Sequence, residues 1–255
     1  MFIRTERSIK EFFELYPVVS IIVIIHFVLW ASFSLFRLPI GATIFDLGIG
    51  HNFSVFHGEY WRLLTPVFLH IQLGHLIFNS FALVIFGPAL ERMLGIPKFI
   101  FVYLFTGIAG NLGTYIIDPT SSVPHLGASG AIYGLFGLYI YMVWMRKDLM
   151  DKGSANIVTV VFVIGLVMTF IQPNINIAAH IFGFIAGFAT GPIILKNAVP
   201  FFIARVRVKR RDDDDIGFDP NRWKKKRRRP SALRKNIFWI ILIVLVVFGL
   251  IGKYF

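Results

Sequence analysis

The sequence contains no cysteine, which excludes disulfide bonds, thiol nucleophiles and thiolate metal sites. Acidic residues are scarce as well, because 14 Asp and Glu stand against 26 Lys and Arg. No acidic residue lies within any long apolar run, so a pair of membrane-embedded catalytic aspartates is excluded. No histidine is followed by glutamate, so the sequence lacks a His-Glu-x-x-His zinc site. We therefore expect no metal ion and no cofactor.

Apolar residues dominate the chain instead: 56% of its 255 residues are hydrophobic and 16% are aromatic. A soluble domain could not cover so much apolar surface, whereas about 20 apolar residues suffice to cross a membrane as a helix. Lipid cannot satisfy exposed backbone groups and no alternating strand pattern occurs, so we predict an all-α membrane protein. Seven apolar runs predict seven spans, at residues 18–36, 69–90, 99–117, 129–145, 157–171, 177–195 and 237–251.

Basic residues are concentrated in one segment, since 15 of the 26 Lys and Arg lie between residues 196 and 235. Such a run in a multispan protein is typical of a cytoplasmic loop. We expect it to contact anionic lipid headgroups, at about 1 kcal/mol per basic residue near the surface. The run lacks interleaved stacking aromatics, so we expect no nucleic-acid binding.

Lys and Arg flank alternate ends of the spans, which predicts a cytoplasmic N-terminus and an outer C-terminus. No signal peptide or organellar presequence is visible, which favours a bacterial-type plasma membrane. The predicted organisation has four parts: an amphipathic cytoplasmic segment (1–17), a six-helix core (18–196) with a folded outer loop (37–68), the basic cytoplasmic loop (197–236), and a seventh helix with the outer C-terminus (237–255).

Polar side chains within the spans are functional candidates, because burying them in lipid is costly. His75 and Asn79 lie four residues apart and so share one helical face, and so do Ser129 and Tyr133. Small residues follow His180 on the same helical face, and another helix can approach closely there. These groups lie in the outer halves of the three spans that begin outside, so we expect them to meet at one depth. Two further histidines, for which we favour a packing role, are His26 and His70.

The fourth span is short, because residues 129–145 would rise only about 25 Å as a helix, less than the hydrocarbon thickness. The non-helical segment before Ser129 must therefore enter the protein, where it would line a water-filled pocket. Ser129 would be the first helical residue, and its N–H would suit a developing oxyanion. His180 could accept the serine proton, which predicts a Ser-His dyad without an acidic partner. Gly134 and Gly137 would let the sixth span approach.

Each of these residues also has a simpler interpretation. Taken alone, Ser129 is more often an N-cap than a nucleophile, because serine satisfies the free N–H groups of a helix start. Glycines at four-residue spacing are commonly packing sites. The joint occurrence of polar groups on three spans at one depth favours a catalytic site.

Five motifs resemble those of rhomboid intramembrane serine proteases. The sequence GASGAIYG is similar to the family's GxSG nucleophile motif, AHIFGFIAG to its histidine motif, and HIQLGHLIFN to its oxyanion segment. YWR at residues 60–62 and GPALE at residues 87–91 resemble two further family motifs. The five motifs occur in the family's order and span the predicted six-helix core.

The resemblance implies a rhomboid-like six-helix transmembrane core plus one C-terminal helix. It also implies a serine endopeptidase that cuts transmembrane segments, often of single-pass proteins, near the outer face. The fifth span and the loop QPNIN would form a lateral gate and a cap. The implied residues are Ser129 as nucleophile, His180 as base, Tyr133 stacked on His180, Asn79, His75, Gly127 and Ala128 around the oxyanion, and Gly130 in support.

Two other functions remain open. A catalytically inactive relative would bind transmembrane helices without cutting them, but such proteins lose the serine or histidine that this sequence retains. A transporter or channel would need a polar path through both faces, whereas the inner halves of the spans are apolar.

Overall fold

The structure is a computed structural model that describes residue 6, residues 8–173 and residues 175–200. Nine α-helices and several shorter turns occur in this part of the chain, which contains no β-strand. The helices are α1 (Ile9–Leu15), α2 (Pro17–Trp30), α3 (Pro39–Gly48), α4 (Asn52–Phe56), α5 (Leu73–Leu94), α6 (Ile96–Ile117), α7 (Ser129–Met145), α8 (Lys152–Ile171) and α9 (Ile177–Ile194). The turns are a π-helical turn (Ala31–Leu35) and three 3₁₀ turns (Tyr60–Leu63, Thr65–Phe68 and Lys147–Leu149).

Six of the seven predicted spans fall within the described residues, and each coincides with a helix. Five of these helices, α2 with its π-helical continuation, α5, α6, α8 and α9, are long and apolar enough to cross a membrane, and α7 is a shorter apolar helix. These findings confirm the all-α membrane class. The seventh span (237–251) and residues 201–236 of the basic loop lie outside the described residues.

Three helix starts differ from the prediction by three residues or more, and one of them is α6, which begins at Ile96 rather than at residue 99. α5 begins at Leu73 rather than at residue 69, and Gln72 is its N-cap. α8 begins at Lys152 rather than at residue 157. The carboxylate of Asp151 accepts hydrogen bonds from the N–H and the hydroxyl of Ser154, at 2.9 and 2.7 Å. This cap starts the helix ahead of its apolar stretch.

The outer loop 37–68 is folded into α3, α4 and two 3₁₀ turns. Arg62 in this loop is only 8% exposed and donates hydrogen bonds of 2.8 Å to two backbone carbonyls near the end of α3. A guanidinium that satisfies two carbonyls at once fixes the path of the loop. Gly50 and His125 exchange two backbone hydrogen bonds of 2.9 Å, which connect this loop to the segment before α7.

α6, α7 and α9 all pack against one another, and most side chains of α7 are buried. Gly183 and Gly187 of α9 lie against carbonyls of α7, and Gly137 of α7 lies against a carbonyl of α9, so a Cβ at any of the three would overlap the facing backbone. α9 approaches Gly134 as predicted, because Gly187 faces its carbonyl, but the space of the missing Gly134 Cβ is filled by Thr106 of α6. The glycines of α7 thus allow two neighbouring helices, α6 and α9, to pack closely against it.

Charged side chains bind two helix ends of the core. The carboxylate oxygens of Glu91 on α5 accept the N–H groups of Val18 and Val19 at the start of α2, at 3.0 and 2.9 Å. Arg146, after α7, donates to the carbonyl of Leu195 at the end of α9, at 2.8 Å. A negative group at a helix start and a positive group at a helix end both oppose the local dipole. These contacts hold α2 and α9 against the helices that carry the site.

Candidate active site

Ser129 is the first residue of α7, as the short fourth span predicts. Residues 118–128 before it contain no helix, so a non-helical segment leads into the serine. Ala128 occupies the N-cap position, so Ser129 is the first helical residue and not the N-cap. Ser129 is half-buried and lines a cavity between α5, α7 and α8.

His180 lies in the first turn of α9 and is 6% exposed. Its ring stacks on the ring of Tyr133, with centroids 4.0 Å apart and planes inclined by 14°. Tyr133 lies one turn after Ser129 on the same face of α7. A Cβ at Gly130 would lie 3.3 Å from the carbonyl oxygen of Ala179, so the chain next to Ser129 contacts the chain next to His180. α7 and α9 therefore bring the serine and the histidine to one level.

A glycine with positive φ allows two α5 side chains to approach the chain ahead of Ser129. Gly127 has a φ of +120°, and a Cβ there would lie 2.5 Å from Cε1 of His75 and 3.4 Å from Nδ2 of Asn79. Among the described residues, no acceptor binds the N–H groups of Ala128 and Ser129. Four possible hydrogen-bond donors thus lie around one turn. They are the N–H groups of Ala128 and Ser129 at the helix start and the side chains of His75 and Asn79.

Gly127, which was predicted to lie around the oxyanion, contributes backbone conformation and space rather than a hydrogen-bond donor. Its N–H donates to the carbonyl of Pro66 at 2.9 Å, so this N–H is not available to an oxyanion. Gly127 instead supplies the positive φ and the space that His75 occupies. The sequence could not indicate this, because Pro66 belongs to the outer loop and meets Gly127 only in the folded chain.

Thr169 on α8 is a site residue that the sequence analysis missed. Its Oγ1 lies 2.8 Å from Nδ1 of His180, 2.7 Å from the hydroxyl of Tyr133 and 2.9 Å from the carbonyl oxygen of Gly165. The only signal in the sequence is a hydroxyl close to the predicted outer end of the fifth span. α8 thus contributes one hydrogen-bonding group that contacts both stacked rings.

His70 also extends the site, although the sequence favours a packing role for it. Nδ2 of Asn79 donates a hydrogen bond to Nε2 of His70 at 2.9 Å, so His70 binds a predicted oxyanion residue. The ring of His26 lies 4.8 Å from that of His70, and its Nε2 is 3.4 Å from the hydroxyl of Tyr103. His26 therefore packs as predicted, with a histidine ring and a tyrosine hydroxyl as its neighbours.

The cavity beside Ser129 has a volume of about 230 Å³ and an almost wholly apolar lining. Its walls include Phe78 of α5, Phe136 of α7 and Phe162 of α8, while Ser129 and Asn79 supply polar atoms. Such a lining suits an apolar ligand with a polar group directed to the serine. Among residues 6, 8–173 and 175–200, no group of His, Asp and Glu side chains could hold a metal ion.

Comparison with known proteins agrees with this geometry, because residues 57–197 match the family model of the Rhomboid domain. This chain belongs to the rhomboid family. It is 46% identical over 190 residues to the rhomboid protein YdcA of Bacillus subtilis, an overlap that covers 74% of this chain and 93% of YdcA. It is 38% identical over 146 residues to the rhomboid protease GluP of the same organism. That overlap covers 57% of this chain and 28% of GluP. Rhomboid-like protease 1 of Toxoplasma gondii is 32% identical over 164 residues, or 63% of this chain and 56% of that protein.

The rhomboid domain contains all the site residues named above except His26. The match begins directly after α4, so α1 to α4 precede it. His26 on α2 therefore contacts the rhomboid domain from outside the matched residues. Its several apolar helices make the protein a multi-pass integral membrane protein.

Proposed function

We propose that this rhomboid protein is a serine-type intramembrane endopeptidase that cleaves transmembrane segments of membrane proteins near the outer face. The observation that carries the proposal is the stack of His180 on Tyr133, one helical turn from a serine that begins α7. Relatives named as rhomboid proteases support the same activity. The proposed pair is Ser129 as nucleophile and His180 as general base.

In the proposed reaction, His180 removes the proton of the Ser129 hydroxyl as its oxygen attacks the scissile carbonyl carbon. Negative charge develops on the carbonyl oxygen, and the N–H groups of Ala128 and Ser129 would donate to it together with Asn79 and His75. His180 then donates its proton to the leaving amine. Water, activated by the same histidine, would hydrolyse the acyl-enzyme and restore the serine.

The apolar cavity between α5, α7 and α8 is the proposed binding site for the substrate segment. A transmembrane segment, in the proposal that of a single-pass protein, could enter between α5 and α8 and present a peptide bond to Ser129. α8 is suited to act as a lateral gate, because only 17% of its membrane-length stretch is buried, compared with 50% for α5. The loop after α8 would form the cap.

The orientation of the protein in the membrane is part of the proposal. Residues 1–17 and the basic loop 197–236 would lie in the cytoplasm of a bacterial cell, and the C-terminus would lie outside. The six-helix core (18–196) and a seventh helix (237–255) would cross the plasma membrane. We propose that the basic loop contacts anionic lipid headgroups and that no nucleic acid binds.

The test is cleavage of a labelled model transmembrane substrate by the full-length protein in liposomes. We expect Ser129→Ala and His180→Ala to abolish cleavage while the protein still folds. Ser20→Ala is the matched control, because Ser20 is a buried serine on α2 whose hydroxyl bonds to the carbonyl of Tyr16. Cleavage by Ser129→Ala would contradict the proposed nucleophile. Binding of the substrate by the wild type without any cleavage would favour a catalytically inactive relative.

A further inference from the structure

We propose that Thr169 of α8 is the positioning residue for His180, and that its hydroxyl fixes the imidazole with the proton on Nδ1 and Nε2 free as the base. The inference rests on the proposed protease function and deepens it. A Ser-His pair without an acidic partner needs some other group to select the tautomer and to hold the ring. In this fold that group comes from α8.

The assignment follows from a count of protons at the Thr169 hydroxyl. Its oxygen has three close contacts, with the Gly165 carbonyl, the Tyr133 hydroxyl and Nδ1 of His180. A carbonyl oxygen only accepts, so the single hydroxyl proton of Thr169 must be donated to Gly165 if that contact is a hydrogen bond. The two remaining contacts then require Tyr133 and His180 to donate to the Thr169 oxygen. Any other placement leaves at least one of the three contacts without a proton.

The consequence for catalysis concerns both states of His180. A neutral histidine with its proton on Nδ1 presents an unprotonated Nε2, which is the nitrogen that can accept a proton from a serine. After that transfer, the imidazolium needs an acceptor for each of its N–H groups, and the Thr169 oxygen is already placed for the one on Nδ1. The same oxygen accepts from Tyr133, so it also holds the ring on which His180 stacks.

The first experiment compares Thr169→Val with a matched threonine of the same helix. Thr159 donates to the carbonyl of Ala155 at 2.8 Å, the same local bond that Thr169 makes to Gly165, but Thr159 has no contact with His180. By analogy with other groups that orient a histidine, we expect Thr169→Val to lower kcat by about 10- to 100-fold with little change in KM. Thr169→Ser, which restores the hydroxyl, is expected to recover most of the activity, and Thr159→Val to behave as the wild type.

Two results of that comparison would overturn the inference. One is a Thr169→Val enzyme with wild-type kcat. The other is an equal loss of kcat in Thr159→Val, which would assign the effect to helix stability. Thermal unfolding of each variant in detergent shows whether the fold is retained before the rates are compared.

A second measurement does not depend on cleavage and so separates this inference from the proposed function. Nitrogen NMR of the full-length protein labelled with ¹⁵N-histidine reports which ring nitrogen is protonated, and His180→Ala identifies the signal among the seven histidines. We expect a protonated Nδ1 and an unprotonated Nε2 for His180, and a mixture of tautomers in Thr169→Val. A wild-type His180 with its proton on Nε2 would overturn the inference even if the protein were active. Absence of cleavage would contradict only the proposed function.

Discussion

The imidazole ring of His180 lies nearly parallel to the phenol ring of Tyr133, 4.0 Å away, and both rings bind the hydroxyl of Thr169. Helices α7, α8 and α9 each contribute one of these three side chains. The position of the proposed base therefore depends on the packing of three helices rather than on a single local sequence. Changes at each contact should alter catalysis in distinguishable ways.

Tyr133 provides two separable contacts, a stacked ring and a hydroxyl that is hydrogen-bonded to Thr169. Tyr133→Phe keeps the stack, so we expect it to retain more activity than Tyr133→Ala. Stacking is worth about 0.5–1.5 kcal/mol, so loss of the ring should lower kcat/KM by a further factor of about 2 to 10. Tyr139→Phe, which removes a hydroxyl bonded to the carbonyl of Phe86, is the control. Equal rates for the Phe and Ala variants at Tyr133 would show that the stack does not matter.

Gly127→Ala should impair both stability and catalysis. The alanine would adopt a φ of +120° and place its Cβ 2.5 Å from the ring of His75, so the ring must move. Gly58 has a φ of +102° with nothing within 4 Å, so Gly58→Ala imposes the backbone strain without the crowding. We expect each variant to lose about 1–3 kcal/mol of unfolding free energy, while only Gly127→Ala loses kcat. If Gly58→Ala lowered kcat as much as Gly127→Ala, backbone strain alone would explain the loss.

His70 should act on catalysis through Asn79, whose amide it binds. His70→Ala removes the acceptor of that amide, and a hydrogen bond of about 0.5–1.5 kcal/mol predicts a fall in kcat of about 2- to 10-fold. A double-mutant cycle measures the coupling: in an Asn79→Ala background, His70→Ala should cause little further loss. The exposed His57, whose ring bonds to the carbonyl of Phe53, provides the control variant His57→Ala. Fully additive losses would contradict the link between the two residues.

His125, in the segment between α6 and α7, should make stability depend on pH. Burial, and secondarily the nearby His51, lower the pKa of His125 to about 4 and outweigh the opposing effect of the Val123 backbone. The folded protein therefore favours the neutral ring. The stabilisation that depends on this neutral ring is complete above a pH of about 6.5. As the pH falls toward 4, the free energy of unfolding decreases by about 3 kcal/mol at most.

The measurement for His125 is the free energy of unfolding between pH 7 and pH 4 for the wild type and for His125→Gln. The variant has no titrating group at this position, so we expect it to lose less stability over that range. Parallel curves for the two proteins would contradict a neutral, buried His125.

The sequence predicted the features of the site that depend on helix length and spacing. The short fourth span placed Ser129 at a helix start, and the four-residue spacings placed His75 with Asn79 and Ser129 with Tyr133. These inferences hold because helix geometry relates residues within one segment, whatever surrounds them.

Contacts that join separate segments could not be predicted. Thr169 resembles Thr159 in sequence terms, since both are single threonines in an apolar helix that bond to their own backbone, and only tertiary packing places Thr169 at His180. Similarly, the bond from Gly127 to Pro66 depends on how the outer loop folds. The late start of α5 left His70 outside the helix, where it can reach Asn79.

Mass spectrometric mapping of a fluorophosphonate adduct on the purified full-length protein tests the proposed mechanism most directly, because such a reagent reacts with an activated serine. We predict a single adduct on Ser129 in the wild type, and no adduct at that position in His180→Ala. Modification of a different serine, or equal modification of Ser129 in the absence of His180, would contradict the proposed Ser-His pair.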